Sequence, residues 1–319
     1  MDEKRIDVVA IGALAVDYFA LLPTIPGAEQ KIIANGYEIH PGGVAGNVIT
    51  QVARLGISSA WLGKIGDDDT GKILLNEFQK DGVVTAPIDI VEGEHSMFTW
   101  IQVDKTGDRS ITMFPNVLNK FTSDDIEKNH REIIENAKIL QVEACLLPLA
   151  PVLTAMEIAK KAGVKIVFDL DVSPNHFINE AGLSTENELQ RALELADVLI
   201  PCKDAAKELI NSDNIEKDAL KLLDYGAELC AVTLGADGCI VFTKDEFYKL
   251  KGATVDVVDT TGAGDAFHGG FIYGLLNNLP VNNIAEIANA CGAICCQRVG
   301  ARAMGNLHEV VKMINNSKN

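Results

Sequence analysis

The chain is short of positive charge. It carries 28 Lys and Arg against 45 Asp and Glu, a formal net charge of −17 at pH 7. Nucleic acids and anionic membrane surfaces attract proteins with a basic footprint, so neither is expected as a partner. A nucleotide is not excluded, because a phosphate pocket can be electropositive locally. No apolar run reaches the ~18 to 20 residues that span a bilayer, and the opening MDEKRID lacks the basic-then-apolar build of a signal peptide. The seven cysteines form no C-x-x-C pair and no disulfide-scaffold spacing, and they read as small buried residues of a reducing compartment. The expected location is therefore cytoplasmic. The six histidines show no metal-ligand spacing. No G-x-G-x-x-G follows an apolar strand, which removes a dinucleotide site. The run GDDDTGKI from Gly66 to Ile73 comes close to a phosphate-binding loop, but Ile73 offers no hydroxyl to Mg2+, and Asp67, Asp68 and Asp69 would repel phosphate. It reads instead as a loop leading into a helix from Gly71 to Lys80. Internal repeats and low-complexity tracts are absent as well.

What the chain has is apolar content, 47% of 319 residues, enough to bury one large core with an appendage. Ile6 to Gly12 is a continuous apolar run ending in glycine, as a strand buried on both faces should be. From Ala137 onwards apolar strands alternate with helical stretches, at Ile139 to Val142, Lys165 to Asp169, Val198 to Pro201, Leu229 to Leu234 and Cys239 to Phe242. This pattern predicts an α/β fold with a doubly wound, mainly parallel sheet flanked by helices. Ligands in such sheets gather at the carboxyl ends of the strands, where Glu143, Asp169, Asp171, Cys202 and Gly235 lie. Two segments break the pattern. Tyr18 to His40 reads as short strands interrupted by Pro23, Pro26, Gly27 and Gly36, and Ser96 to Pro115 as two alternating runs around Lys105 to Asp108. A hairpin alone is marginal, so the two together predict a small separate sheet. Between them, Pro41 to Gly56 reads as paired glycines opening a helix, with Val44, Val48, Val52 and Leu55 close to one face and Asn47 inside it.

The rest of the chain can be placed around Val257 to Leu276, where a short apolar strand passes through a glycine-broken turn straight into an apolar helix. Thr261, Gly262, Ala263 and Gly264 leave their amides unobstructed at the helix start, where unpaired N–H groups and the helix dipole favour an anion. Asp265 sits in the first turn. An acid there either complements the dipole or, beside a bound phosphate, takes the proton from an attacking hydroxyl. His268, three residues on and on the same helical side, reads as a wall of the pocket.

The run DTTGAGDAF, together with G-G-x-x-x-N at Gly42, Gly43 and Asn47 and an early G-x-x-x-x-D ending at Asp17, resembles the signatures of the ribokinase-like carbohydrate kinases, the PfkB family. The resemblance covers nearly the full chain. It implies an ATP-dependent kinase that phosphorylates a sugar or sugar-like alcohol, with ATP and Mg2+ as cofactors. Residues 1–13, 41–94 and 116–319 would form the nucleotide- and substrate-binding domain, and residues 14–40 and 95–115 a β-sheet lid that is often also a homodimer contact. Asp265 would be the catalytic base, with Gly262, Ala263 and Gly264 as the anion hole. Asp17, Gly42, Gly43, Asn47 and Glu143 would hold the sugar beside Asp265. Thr233, Gly235 and Gly238 of the TLGADG turn, with Gly264 and Asn289, would border the nucleotide. Asp259 and Thr261, with the loop from Arg298 to Gly305, would hold a monovalent cation through carbonyls, which makes K+ a further expected cofactor. Ala15 stands where many relatives have asparagine. In LIPCKDAAKEL, Cys202 and Ala205 replace the Asn and Glu of a P-N-x-x-E motif that organises Mg2+ through water, with Asp204 and Glu208 nearby. A nucleoside kinase of the same family would share these signatures. A non-catalytic ligand-binding protein on a kinase scaffold is the reading that Cys202 and Ala205 favour.

Overall fold

The computed structural model describes residues 5–317. Its main sheet has eight strands, ordered Phe247–Leu250, Cys239–Phe242, Leu229–Thr233, Val198–Pro201, Lys165–Leu170, Ile139–Ala144, Val8–Ile11 and Ser59–Trp61. Pairing is parallel from Ser59–Trp61 across to Leu229–Thr233, and the last two strands join antiparallel. The parallel strands are covered on both faces, so they read as unbroken apolar runs; every residue of Val8–Ile11 is fully buried. From Val8–Ile11 the chain first adds Ser59–Trp61 on one side and later Ile139–Ala144 on the other. The order therefore reverses between the Val8–Ile11 and Ile139–Ala144 strands, and a crevice opens at their carboxyl ends.

A second sheet of four strands, ordered Gly36–Gly42, Ala15–Leu21, Phe98–Val103 and Arg109–Phe114, is built from the two segments that lacked helical period. Ala15–Leu21 runs antiparallel to Gly36–Gly42 and parallel to Phe98–Val103. The tip of the last hairpin is held by Asp104, whose Oδ1 accepts from the amides of Thr106 and Asp108 at 2.8 and 3.1 Å. The glycine pair at 42–43 is split between elements: Gly42 ends the strand Gly36–Gly42 and Gly43 caps the helix Val44–Arg54, which is shorter at its start than the sequence suggested. The GDDDTGKI run is a helix start, as its acids required. Asp68 is the N-cap of Asp69–Asp81 and accepts from the Gly71 amide at 2.8 Å.

The helix that follows the glycine-broken turn, Ala263–Leu276, packs closely on Val281–Cys295 because its contact face is small. A Cβ at Gly270 would stand 2.8 Å from Cys291 Sγ, and one at Gly274 2.9 Å from Ile284 Cγ1. Bulkier residues there would lift the helix and displace its N-terminus from the crevice.

Candidate active site

The turn before Ala263–Leu276 depends on Gly262. Its φ is +78°, and a Cβ would lie 2.1 Å from the carbonyl oxygen of Ala301, so both conformation and space demand glycine. The Ala263 amide donates to the Thr260 carbonyl at 3.2 Å, so of the three residues expected to form an anion hole, Ala263 has its N–H already engaged. Among the described residues no acceptor meets the amides of Gly262, Gly264 or Asp265. The space above Gly264 is open, with no atom within 4 Å of where a Cβ would stand. The turn is braced from below by Asp259, which accepts from the Thr261 amide and hydroxyl at 3.0 and 2.7 Å and from the Gly300 amide at 2.9 Å. Burial works to raise its pKa, but these hydrogen bonds outweigh it and hold the carboxyl below its usual range. Asp259 is thus engaged in holding the loop.

Asp265 reaches the Val44–Arg54 helix. Its Oδ2 accepts from Asn47 Nδ2 at 2.7 Å, which ties the helix start to the Val44–Arg54 helix. Burial first and the nearby Asp171 second push the Asp265 carboxyl up to about 7, against the hydrogen bond from Asn47. Asn47 is itself held from behind, because its Oδ1 accepts from Arg302 Nε at 3.0 Å. The Arg302 guanidinium is buried, donates from Nη2 to the Gly42 carbonyl at 3.1 Å, and lies 5.0 Å from the centre of the Phe78 ring. Burial lowers its pKa to about 10, which leaves it cationic at neutral pH.

The expected sugar-side residues come together at the strand reversal. A Cβ on Gly42 would be 2.3 Å from Asp17 Oδ2, so Asp17 lies directly against that backbone, with the Thr99 hydroxyl donating to it. Burial raises the Asp17 pKa against Thr99, Arg302 and His40. Gly43, at φ +86°, would place a Cβ 2.5 Å from the Ala13 carbonyl oxygen. Glu143 fills the space beside Gly12, fully buried, with Oε1 accepting from the Ala13 amide and Oε2 without a partner.

Sequence reasoning placed Asp169, Asp171 and His268 near this crevice but gave them no joint role. The structure gathers them below Asp265. His268 Nδ1 lies 2.7 Å from Asp169 Oδ2, though not in hydrogen-bond alignment. Burial lowers the His268 pKa to about 4, so the imidazole is neutral. Burial and the Asp171 charge raise Asp169 well above its ordinary value. Asp171 is the exposed member and takes a hydrogen bond from the Cys145 thiol. Arg302 is the residue that sequence reasoning missed. No local pattern pointed to it; the structure shows that Gly46 makes room for it, since a Cβ there would come 2.8 Å from Arg302 Nη2.

On the opposite side, two adjoining cavities of about 680 and 650 Å³ share Lys251 and Gly252. Asn289 lines the larger and donates to the Lys251 carbonyl at 2.7 Å. The smaller is lined by Leu234, Ala236 and Asp237, while Thr233, Gly235 and Gly238 sit behind its lining. Neither cavity includes Asp265. Lys203, which follows Cys202, also faces the smaller cavity. Cys202 is a helix cap, its Sγ accepting from the Ala205 amide at 3.5 Å, and Ala205 is fully buried. Glu208 is taken by the Asn175 amide at 2.6 Å, and Asp204 is exposed. Among the described residues no group of three His, Cys, Asp or Glu side chains is placed to hold a metal ion.

Residues 5–307 match the family model described as pfkB family carbohydrate kinase. The chain is 31% identical to fructokinase-2 of Oryza sativa subsp. japonica over 311 residues, covering 92% of this chain and 89% of that protein. It is 29% identical to the ribokinase of Haemophilus influenzae over 305 residues, covering 94% and 95%. In fold it is similar to the Arabidopsis thaliana ribokinase solved with ribose and ATP, at a TM-score of 0.84 and 22% identity over 98% of this chain and 99% of that one. A provisionally named ribokinase II of E. coli, solved with ATP and Mg2+, gives a TM-score of 0.85 at 24% identity, covering 98% and 99%.

Proposed function

The chain belongs to the pfkB family of carbohydrate kinases, and from that premise we propose that it transfers the γ-phosphoryl group of ATP to a hydroxyl of a sugar or sugar-like alcohol. Asp265 takes the proton from the attacking hydroxyl, and the amides of Gly262, Gly264 and Asp265 neutralise charge that develops on the phosphoryl oxygens. The observation that carries this reading is the placement of a carboxylate with its pKa pushed up to about 7 in the first turn of a helix whose leading amides are open. A base of that strength is half-ionised at neutral pH and still strong enough to accept a hydroxyl proton.

Asp17 and Glu143 supply the polar contacts for the sugar, with the backbone at Gly42 and Gly43 close against it, while Asn47 reaches the base. The four-stranded sheet, built from residues 14–40 and 95–115, acts as a lid over the sugar, its edge strand Gly36–Gly42 ending at the glycine pair. The nucleotide lies across the two cavities that meet at Gly252, bordered by Asn289 and the Thr233–Gly238 turn, and reaches Gly264 with its triphosphate. Mg2+, bound with ATP, offsets the charge of the triphosphate. The side chains present fit an ion carried by the nucleotide rather than one caged by protein, since Cys202 and Ala205 offer no oxygen ligand. Carbonyls around Asp259 and Thr261 form the place for K+. The carboxyls of Asp17, Asp171 and Asp265 favour an uncharged polyhydroxylated acceptor over an acidic or phosphorylated one, which they would repel.

ADP release should be followed from ATP and Mg2+, with and without K+, across sugars, polyols, sugar acids and nucleosides, with Asp265→Ala as the blank. Turnover stimulated by one acceptor class and absent in the variant supports the reading. Nucleosides as the best acceptors would make it a nucleoside kinase. Binding of ATP and sugar without turnover would identify a ligand-binding protein on this scaffold.

A further inference from the structure

Arg302 is an expensive residue to keep. The residue is 7% exposed, and its guanidinium has no carboxylate within hydrogen-bond reach and leaves Nη1 without a partner. Isolated buried cations are destabilising, and apolar replacements of similar volume are often neutral or stabilising. Stability therefore does not explain it. Its surroundings are nonetheless built to receive it. The Arg302 and Met304 carbonyls accept from Arg54 Nη1 at 2.7 and 3.0 Å, which fixes the backbone. Glycine at 46 leaves the room that Nη2 occupies, and the Phe78 ring covers the charge.

What the cation touches is Asn47. An asparagine amide has one accepting and one donating end, and here the accepting end meets a guanidinium while the donating end meets Asp265. A carboxamide turned the other way would set donor against donor at Arg302 and acceptor against acceptor at Asp265. Only one orientation satisfies both neighbours. We propose that Arg302 is a positioning residue for phosphoryl transfer: it locks Asn47 in the orientation that holds the Asp265 carboxylate toward the acceptor hydroxyl. The relay also links the loop that packs on Gly262, through the Ala301 carbonyl, to the base itself, so anion hole and base are set by one segment. The inference rests on the kinase reading above.

The other charged and titratable groups around Asp265 are Asp169, Asp171 and Glu143 from the strand ends, His268 on its own helix and Cys295 from Val281–Cys295. None of them touches Asn47, so the relay can be tested apart from them. Arg302→Met keeps the apolar stem on Phe78 and removes the donor; Arg302→Lys keeps charge but lacks the planar fork. We expect Arg302→Met to lower kcat on the order of 10- to 100-fold with KM for ATP little changed, while Tm holds or rises. In an Asn47→Ala background the same substitution should cost no more than about twofold, since the relay is already cut. Arg302→Lys should restore only part of the rate. An equal loss in both backgrounds, or full rescue by lysine, would overturn the proposal. A readout independent of turnover is the titration of Asp265, followed by NMR on protein labelled at the aspartate carboxyl carbons and assigned with Asp265→Asn. Arg302→Met and Asn47→Ala should raise it together, by about one pH unit; an unmoved Asp265 would sink the relay even if no acceptor were ever found. Absence of wild-type turnover with every acceptor, beside a shifted Asp265, would instead reject the kinase reading alone.

Discussion

Glu143 and Asp169 stand opposite one another in register on neighbouring parallel strands, both buried at the carboxyl end of the sheet. Burial and the surrounding acids raise both pKa values well above the ordinary carboxylate range. A carboxyl of this kind holds its proton more tightly in the folded chain than in the unfolded one. Its contribution is fully present below the unfolded value of about 4.3 and is lost as pH rises toward the folded value.

Stability should accordingly fall between pH 5 and pH 8, and Glu143→Gln should flatten that fall. At pH 8 the variant should melt about 2 to 4 °C above the wild type for each ~1 kcal/mol recovered, with little difference near pH 4. Thermal melts across this range check it. Equal slopes for the two proteins would mean that Glu143 is ionised in the fold.

The base makes a separate prediction. Asp265 must lose its proton before it can accept one, so kcat/KM of the free enzyme should rise with pH through about 7. After burial, Asp171 is the largest influence raising that value. Asp171→Asn removes a negative neighbour and favours the ionised base. The acidic limb should then move down by about half a pH unit, the effect of one partly screened charge. A limb unmoved by the substitution would show that Asp171 is screened from the base.

Gly262 bears on geometry rather than charge. Alanine there must adopt φ +78° and enter the space of the Ala301 carbonyl oxygen, 2.1 Å away. Gly262→Ala should destabilise by more than ~1 kcal/mol and abolish turnover, whereas Gly264→Ala, which faces open space, should leave Tm nearly unchanged and weaken triphosphate binding. Melting curves and nucleotide titrations of the two variants separate fold from site.

The glycine-broken turn and the strand-end acids were legible in the sequence because each is a local requirement: small residues at a helix start, or an acid at the end of an apolar run. The small sheet was legible too, since prolines and strict alternation leave no helical alternative. Arg302 was not, because its contact with Asn47 joins residues 255 positions apart and nothing local marks it. The facing of Glu143 and Asp169 depends on strand register, which apolar runs buried on both faces do not encode by pattern. Cys202 stood out only as a departure from a motif. The structure shows what it does there, which is to cap a helix weakly through sulfur.

That cap yields a prediction about the metal. Cys202→Asn replaces a weak sulfur acceptor with a preferred N-cap and should stabilise by about 0.5–1 kcal/mol. With no three-ligand group among the described residues, Mn2+ titrated without nucleotide should find no stoichiometric site, and the ion should bind once ATP is present. Stoichiometric Mn2+ binding to the nucleotide-free protein would place a metal cage where the side chains described here show none.

The lid carries the remaining prediction. Strand register puts Tyr37, Ile39 and Trp100 on one face of the four-stranded sheet, opposite the face that bears Asp17. They are 75%, 41% and 42% exposed, and a groove of about 730 Å³ beneath residues 22–36 continues the apolar surface past Tyr37 and Trp100. Three large apolar side chains clustered in solvent mark an interaction surface more often than chance. A second copy of the chain would cover both patches at once, because a two-fold contact sets the same face against itself. We therefore expect a homodimer through the lid. Sedimentation velocity should give a dimer for the wild type and a monomer for Trp100→Glu, since a charge at the centre of an apolar contact is desolvated without a partner. Loss of the partner should also loosen the lid over Asp17, so acceptor KM should rise in the monomer while ATP affinity holds. A wild type that sediments as a monomer at every concentration would leave that apolar face to some other cover and withdraw the dimer.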